Sequence, residues 1–222
     1  MEKIFKLGLV IGRLNHMHSG HKRIIDISKN LSEKTLVFIG SSQENGTLRN
    51  PFKLETRKNL IEKVYGNDKS IIVAELKDLS NEYSINFDWG KYVLDNVEKV
   101  IGKKPDFLIT GNDDSRKGWY DEKDVEEISE MIVSRKVVEI SGTDLRGYLL
   151  TGNKTVWTEF MPEELKGSFD DLREELISVP IYKEIYDEIS DDLTIENFSK
   201  IYREYEQEDK LKKLKLLKNS IK

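Results

Sequence analysis

Short apolar runs rich in Val and Ile punctuate the first two thirds of the chain, at Leu7–Gly12, Thr35–Gly40, Ser70–Leu76, Asp106–Thr110 and Lys136–Ile140. Runs of this kind, nearly all apolar, predict strands buried on both faces. Between them the apolar positions change period. Ile24, Ile27, Ser28 and Leu31, then Leu60, Ile61 and Val64, then Tyr92, Val93, Val97 and Val100 recur at helical spacing. Strands alternating with helices of about 10–15 residues indicate βαβ units and a parallel sheet.

Beyond Thr155 the pattern is different. Ile195, Phe198, Ile201, Tyr202 and Tyr205 form a helical stripe with Thr194 as its N-cap, and no convincing strand follows. Residues 159–192 carry twelve Asp or Glu against three Lys or Arg, and residues 210–222 carry six Lys and no acid. Such charge blocks read as a solvated surface with a fraying basic tail. The predicted fold class is α/β: a Rossmann-like parallel sheet with helices on both faces, plus a C-terminal helical appendage. The predicted division is a sheet-bearing domain at 1–158 and a helical extension at 159–222. There is no internal repeat or low-complexity linker.

Composition removes several function classes. Of the 222 residues 37% are hydrophobic, enough for a real core, and 35% are charged. A net charge of -5 argues against a general nucleic-acid binder, which needs an excess of cations to neutralise phosphates. With no cysteine, disulfides, thiolate zinc sites and cysteine nucleophiles are excluded. No apolar run approaches the roughly 18–20 residues of a membrane span. The start, MEKIFKLGLVIGRLN, lacks the apolar length and cleavage site of a signal peptide. The four N-x-[ST] sequons, at Asn30, Asn45, Asn153 and Asn197, therefore read as chance matches. A cytoplasmic protein with no nucleic-acid or membrane partner is expected, assembled as a homo-oligomer.

All three histidines lie in one stretch, LGLVIGRLNHMHSGHKRIID, as His16, His18 and His21. In a parallel sheet the first strand-to-helix junction is where ligands bind. One chemistry is a metal site, with imidazoles at a spacing that zinc or another transition metal accepts; no carboxylate ligand lies nearby in sequence. The other is a phosphate site. Gly12 and Gly20 permit a tight turn and close backbone approach, and a helix starting near Ser19 points free N–H groups and its positive dipole at an anion. Arg13, His18 and His21 add donors to the same space. The phosphate reading accounts for more of the local residues. A blander alternative, histidines that merely cap and pack, leaves their clustering with Arg13 and both glycines unexplained.

Three segments, in order, resemble one family. GRLNHMHSGH is similar to the G-R-F-x-P-x-H-x-G-H signature of the nucleotidyltransferase superfamily, in its nicotinamide-mononucleotide (NMN) adenylyltransferase branch of archaeal type. IGSSQENGTLRNPFKLETRKNLI resembles its second strand and S-x-T-[KR]-N-P-F-x-x-x-E-R segment, and ISGTDLR, Ile140 to Arg146, resembles its I-S-x-T-x-[IL]-R motif. VWTEFMP is similar to the stretch that follows. The likeness spans about residues 5–165. His16 stands where the family pattern has proline, and Leu14 and Asn15 replace the usual Phe and Gln. The segment from Asp78 to Trp89 is longer than the pattern.

The late motif also has a reading of its own. Ser141 and Asp144 have the spacing of a capping box, and a helix start carrying Ser141, Thr143 and Arg146 is a second anion site on the same sheet edge. Arg49, beside Asn50–Pro51, brings a third cation by the resemblance. The resemblance implies transfer of AMP from ATP to NMN, giving NAD and pyrophosphate by direct in-line attack. His18 and His21 are assigned to the ATP phosphates and Arg13 and Arg146 to the β- and γ-phosphates. Gly12, Gly20, Arg49, Ser141 and Thr143 complete the ATP-binding set. Mg²⁺ would bridge the phosphates, held mainly by nucleotide and water rather than by a protein metal site. Trp89, Asp78, Asn86 and Asn112 are assigned to the acceptor, with Trp89 stacking on the pyridine ring. Two alternatives stay open: a cytidylyltransferase or an adenylyltransferase for another phosphorylated acceptor, or a nucleotide-binding sensor with weak catalysis.

Overall fold

The computed structural model describes residues 2–79, 87–111, 115–134, 136 and 138–220. Five strands form one parallel sheet in the order β3-β2-β1-β4-β5: β1 (Phe5–Gly12), β2 (Ser32–Ile39), β3 (Ile71–Glu75), β4 (Phe107–Thr110) and β5 (Ser129–Ile132). The helices α1 (Ser19–Leu31), α2 (Leu54–Tyr65) and α3 (Phe87–Ile101) cross between successive strands. The strand order reverses between β1 and β4, and a crevice opens there beyond the strands' carboxyl ends.

Alternation along the central strands fills both faces. Val10, Val37, Ile39, Phe107 and Ile109 pack with Ile25 of α1 and Leu60 and Ile61 of α2. Leu7, Leu9, Leu36, Phe38 and Leu108 pack with Val93, Leu94 and Val97 of α3. These are the runs without polar alternation, as two-sided burial requires.

The fifth strand is a correction. It is Ser129–Ile132, whereas Lys136–Ile140 contains no strand among its described residues. β5 is an edge strand with β4 as its one neighbour. Its Met131 and Ile132 are 37% and 43% exposed, so it needs no continuous apolar run. Val138 instead lines the cleft and Ile140 packs against the core.

After α4 (Glu122–Val125) and β5 come α5 (Gly142–Leu150), α6 (Lys154–Glu159), α7 (Phe169–Ser178), α8 (Pro180–Glu188) and α9 (Ile195–Ser220). Thr194 caps α9, its hydroxyl accepting from the Asn197 N–H at 3.2 Å. Trp157, Leu172, Leu176, Tyr182, Phe198 and Tyr202 belong to the same core as Val10 and Ile109 of the sheet. The acidic face is not all solvated. Glu175 of α7 accepts from the Lys53 N–H at 3.0 Å and the Thr56 hydroxyl at 2.8 Å, supplying the cap that Lys53 itself does not give α2. No described helix is long and apolar enough to cross a membrane.

Candidate active site

A cleft of about 410 Å³ sits at the point where the strand order reverses, with Gly12 of β1 and Thr110 of β4 in its floor. The N-termini of α1 and α5 both open on it, through His18 and Gly20 on one side and Ser141 and Thr143 on the other. The crevice, the glycines and the helix starts thus meet where a parallel sheet binds its ligands.

The two imidazoles of the first motif have different proton inventories. His18 is the N-cap of α1, and its Nδ1 accepts from the Gly20 N–H at 3.1 Å. An accepting Nδ1 leaves the ring's proton on Nε2. His21 Nδ1 lies 2.7 Å from the His16 carbonyl oxygen, so here Nδ1–H donates. The rings stack, with centroids 3.8 Å apart at 33°. Gly20 makes this possible: a Cβ there would lie 2.8 Å from His18 Cε1. No acidic residue stands in the first turn of α1, so the positive end of its dipole is not offset there.

His16 lies beneath, 1% exposed, its ring edge-on to Phe52 at 5.0 Å. Neither ring nitrogen has a hydrogen-bond partner. Burial first, then the charges of Arg146 and His21, hold its pKa well below the ordinary histidine value, so the ring stays neutral. His16 is also among the residues that line the cleft.

Arginines supply the charge. Arg13, Arg49, Arg116 and Arg146 all line the cleft. Burial, then the like charges of Arg49 and Arg146, lower the Arg13 pKa from its usual value. Arg146 is buried and donates from Nη2 to the Thr143 hydroxyl at 3.0 Å. Arg49 is carried by a loop that Asn15 holds, its Nδ2 donating to the Arg49 carbonyl at 3.0 Å and to Asn50 Oδ1 at 3.1 Å.

At the start of α5 the expected capping box is present. The Ser141 hydroxyl accepts from the Asp144 N–H at 3.1 Å, and Asp144 Oδ2 accepts from the Ser141 N–H at 3.0 Å and from its hydroxyl at 2.6 Å. Ser141 is therefore engaged within the helix end, and Thr143 with Arg146.

The cleft brings together Gly12, Arg13, His18, Gly20, His21, Arg49, Ser141, Thr143 and Arg146. Of the acceptor candidates, the two among the described residues, Asp78 and Trp89, do not line it. Trp89 packs beside Tyr92, centroids 5.7 Å apart, against the opposite face of the sheet. Asp78 lies past β3, its N–H donating to Gln43 Oε1 at 3.1 Å, close enough to raise the pKa of Arg13 but not lining the cleft. Asn86 and Asn112 lie outside the described residues.

Sequence reasoning missed four residues. Arg57 is wholly buried and donates to the carbonyls of Arg13, Gly40, Ser41 and Glu44 at 3.0–3.2 Å, tying together the loops that leave β1 and β2. The signal was an arginine in register with Leu60, Ile61 and Val64 on the core side of α2. Arg116 stacks its guanidinium 3.8 Å from the Trp119 ring centroid on the β4 side of the cleft. Tyr202 and Glu206 of α9 close another side. By its spacing alone Tyr202 belongs to the helical packing stripe of Ile195, Phe198 and Ile201.

Among the described residues no three His, Asp or Glu side chains form a metal-binding group. Arg13, Arg49, Arg116 and Arg146 and the Nε2–H of neutral His18 give the lining donors and positive charge suited to an anion.

Known proteins resemble this chain in sequence and in fold. A nicotinamide-nucleotide adenylyltransferase of Methanococcus vannielii is 31% identical over 160 residues, covering 70% of this chain and 83% of that protein. One from Thermococcus kodakarensis is 26% identical over 164 residues, covering 72% and 80%. Among solved structures, a bifunctional NMN adenylyltransferase/ADP ribose pyrophosphatase from Francisella tularensis, complexed with AMP and a Mn ion, superposes with a TM-score of 0.62 at 20% identity. The match covers 84% of this chain and 53% of that one, so this chain spans about half its length. A putative nicotinate-nucleotide adenylyltransferase from Vibrio parahaemolyticus gives 0.52 at 17%, covering 76% and 99%. Both structures share the fold. The cytidylyltransferase-like family model matches residues 9–190. That span runs from β1 through α8 and takes in every arginine and histidine of the cleft, and the chain belongs to the cytidylyltransferase-like family.

Proposed function

We propose that the chain is a nucleotidyltransferase that moves AMP from ATP to nicotinamide mononucleotide, giving NAD and pyrophosphate. The observation that carries the reading is the convergence of Arg13, Arg49 and Arg146 with the His18–His21 pair on one cleft at the strand-order reversal. The names of the archaeal relatives favour the adenylyl reaction and the pyridine mononucleotide acceptor.

In this reading an oxygen of the NMN phosphate attacks the α-phosphorus of ATP as the bond from that phosphorus to the bridging oxygen breaks. Pyrophosphate leaves with the bond's electron pair. The attacking phosphate is already anionic near neutral pH, so no strong base is needed. The protein holds two anionic reactants in line and offsets the charge growing on pyrophosphate. His18 donates from Nε2 while neutral. His21, whose Nδ1 proton is committed to the His16 carbonyl, donates from Nε2 only when it carries a second proton. Arg13, Arg49 and Arg146 take the β- and γ-phosphates. A divalent cation such as Mg²⁺ would be held mainly by the nucleotide and water, beside Arg13, Arg49 and Arg146, and would supply further positive charge against the departing pyrophosphate. Asp78, Asn86, Trp89 and Asn112 remain the proposed acceptor set; Trp89 would have to be reached from the far side of the sheet's edge. The division at 158/159, a homo-oligomeric state and a cytoplasmic location also belong to this proposal.

Pyrophosphate release measures the reaction directly. ATP or CTP is paired with NMN, nicotinate mononucleotide, phosphopantetheine or glycerol phosphate in the presence of Mg²⁺. Release confined to ATP with a pyridine mononucleotide is the expected result. Release with another pair would keep the phosphate site and replace the acceptor. ATP binding without turnover in any pair would favour the sensor.

A further inference from the structure

Two cationic arms of the cleft are held by the C-terminal helices, and α9 begins at Ile195, beyond the span shared with the family. Tyr202 of α9 is 3% exposed, and its hydroxyl accepts from Arg146 Nη2 at 2.9 Å. The guanidinium carbon sits 5.4 Å from the same ring's centroid. Arg146 Nε is buried with no partner, so Nη2, shared between Thr143 and Tyr202, carries much of the group's orientation. Tyr182 of α8 lies against Arg146 and Tyr202 and donates its proton to the Leu48 carbonyl at 2.6 Å, next to Arg49 in the chain. Glu206, one turn beyond Tyr202, approaches Arg49 Nε at 3.8 Å.

The close approach of α9 is written into α5. A Cβ at Gly147 would lie 2.3 Å from Ile195 Cδ1 and 2.7 Å from Phe198 Cδ1. Only a glycine lets this face of α9 seat one residue away from Arg146. A long arginine side chain loses rotamer freedom when it meets a phosphate, and a partner that fixes it beforehand removes part of that cost. A tyrosine hydroxyl does so without neutralising the positive charge the phosphate needs.

We propose that α9 is a positioning element of the phosphate site: Tyr202, backed by Tyr182, aims Arg146 at the β- and γ-phosphates. The site is incomplete without a helix that lies outside the family-matching span. This rests on reading the cleft as the ATP site.

The test uses the full chain with Tyr202→Phe, Arg146→Lys and the double variant, after thermal melting has established that each is folded. Steady-state pyrophosphate release is read as kcat/KM for ATP, and binding of inorganic pyrophosphate is measured by calorimetry. Tyr202→Phe should lower both by about tenfold in the native background, the scale of one hydrogen bond to a charged group. In the Arg146→Lys background the same change should cost less than about twofold, because two residues acting through one contact are not additive. A loss within twofold in the native background, or an undiminished loss beside Lys, would overturn the proposal. Tyr182→Phe, expected to weaken pyrophosphate binding in the same direction, serves if Tyr202→Phe does not fold. If no nucleotide–acceptor pair turns over yet pyrophosphate affinity falls in Tyr202→Phe, the reaction is misassigned and the positioning role stands. Unchanged pyrophosphate affinity removes the positioning role whatever the acceptor.

Discussion

Two helix N-termini open on the same cleft, and they are built in opposite ways. At α1 the cap is an imidazole, the first turn has no acid, and two N–H groups are engaged, that of Ser19 by the Phe160 carbonyl at 2.8 Å and that of Gly20 by His18. At α5 the cap is a serine, the first turn contains Asp144, and the two residues satisfy each other's N–H groups. The first end keeps its dipole for a ligand. The second has as many N–H groups engaged, those of Ser141 and Asp144, but it also sets a carboxylate in its first turn against the dipole, so what it offers an anion comes chiefly from the Arg146 side chain one turn further along. A helix start facing a cleft is thus not in itself an anion site. What matters is whether its first turn already carries a charge against the dipole.

The largest expected difference lies in the chemistry of the first end. His21→Ala should lower kcat by about 10²–10³-fold, the usual effect of removing one preorganised donor from a developing anion, with the thermal midpoint little changed. Near-normal turnover would remove His21 from the mechanism and level the two ends. Gly20→Ala is a subtler probe. Alanine is the better helix former, but its Cβ would meet the His18 ring. Turnover should fall by about tenfold as the cap and the stacked pair shift, while far-UV circular dichroism shows no loss of helix. Native turnover in this variant would mean that the position of His18 does not matter.

His16 supports the first end from below, and its effect is read in pH. Its pKa is depressed in the folded chain, so between that value and the unfolded value near 6.5 the unfolded chain binds more protons. The stability that neutral His16 confers is complete above pH about 6.5 and is lost as pH falls below it, at up to about 1.4 kcal/mol per pH unit. Urea unfolding between pH 7.5 and 5 should show this slope in the native chain. His16→Phe, which keeps the aromatic edge beside Phe52 and cannot titrate, should flatten it. Equal slopes in the two proteins would place the acid sensitivity elsewhere.

The contrast between the two ends was only half visible in the amino-acid order. The three inner runs, those of β1, β2 and β4, mark strands because two-sided burial leaves little room for polar residues, and S-G-T-D carries its cap within four positions. The edge strand Ser129–Ile132 was hidden because an edge needs little apolar content, and the more apolar VVEI that follows drew the assignment instead. Arg57 and Tyr202 were hidden for another reason. An arginine on a core face, or a tyrosine in a packing stripe, gains its role only when distant loops or helices turn carbonyls or a guanidinium toward it. Likewise, His18 could be counted as a donor from its motif, but the split between its Nδ1 and Nε2 needed the Gly20 N–H in place.

The smallest effect separates the ends most cleanly, because it predicts a change in stability where the motif alone suggests a change in ligand binding. Ser141→Ala removes the hydroxyl that accepts from Asp144 and donates to its carboxylate. Loss of such a cap costs about 1 kcal/mol, and denaturant titration should find that amount. The kinetic consequence has a definite direction. The vacated N–H groups and the loosened Asp144 lie near the cleft, so KM for ATP should rise by no more than about threefold, far short of the His21→Ala loss. If instead stability is unchanged and kcat falls as far as in His21→Ala, Ser141 acts on the reacting phosphates and the second helix end is a ligand site like the first. If stability falls as expected and turnover holds, the serine belongs to the helix, and the anion-binding work at this end rests on Arg146.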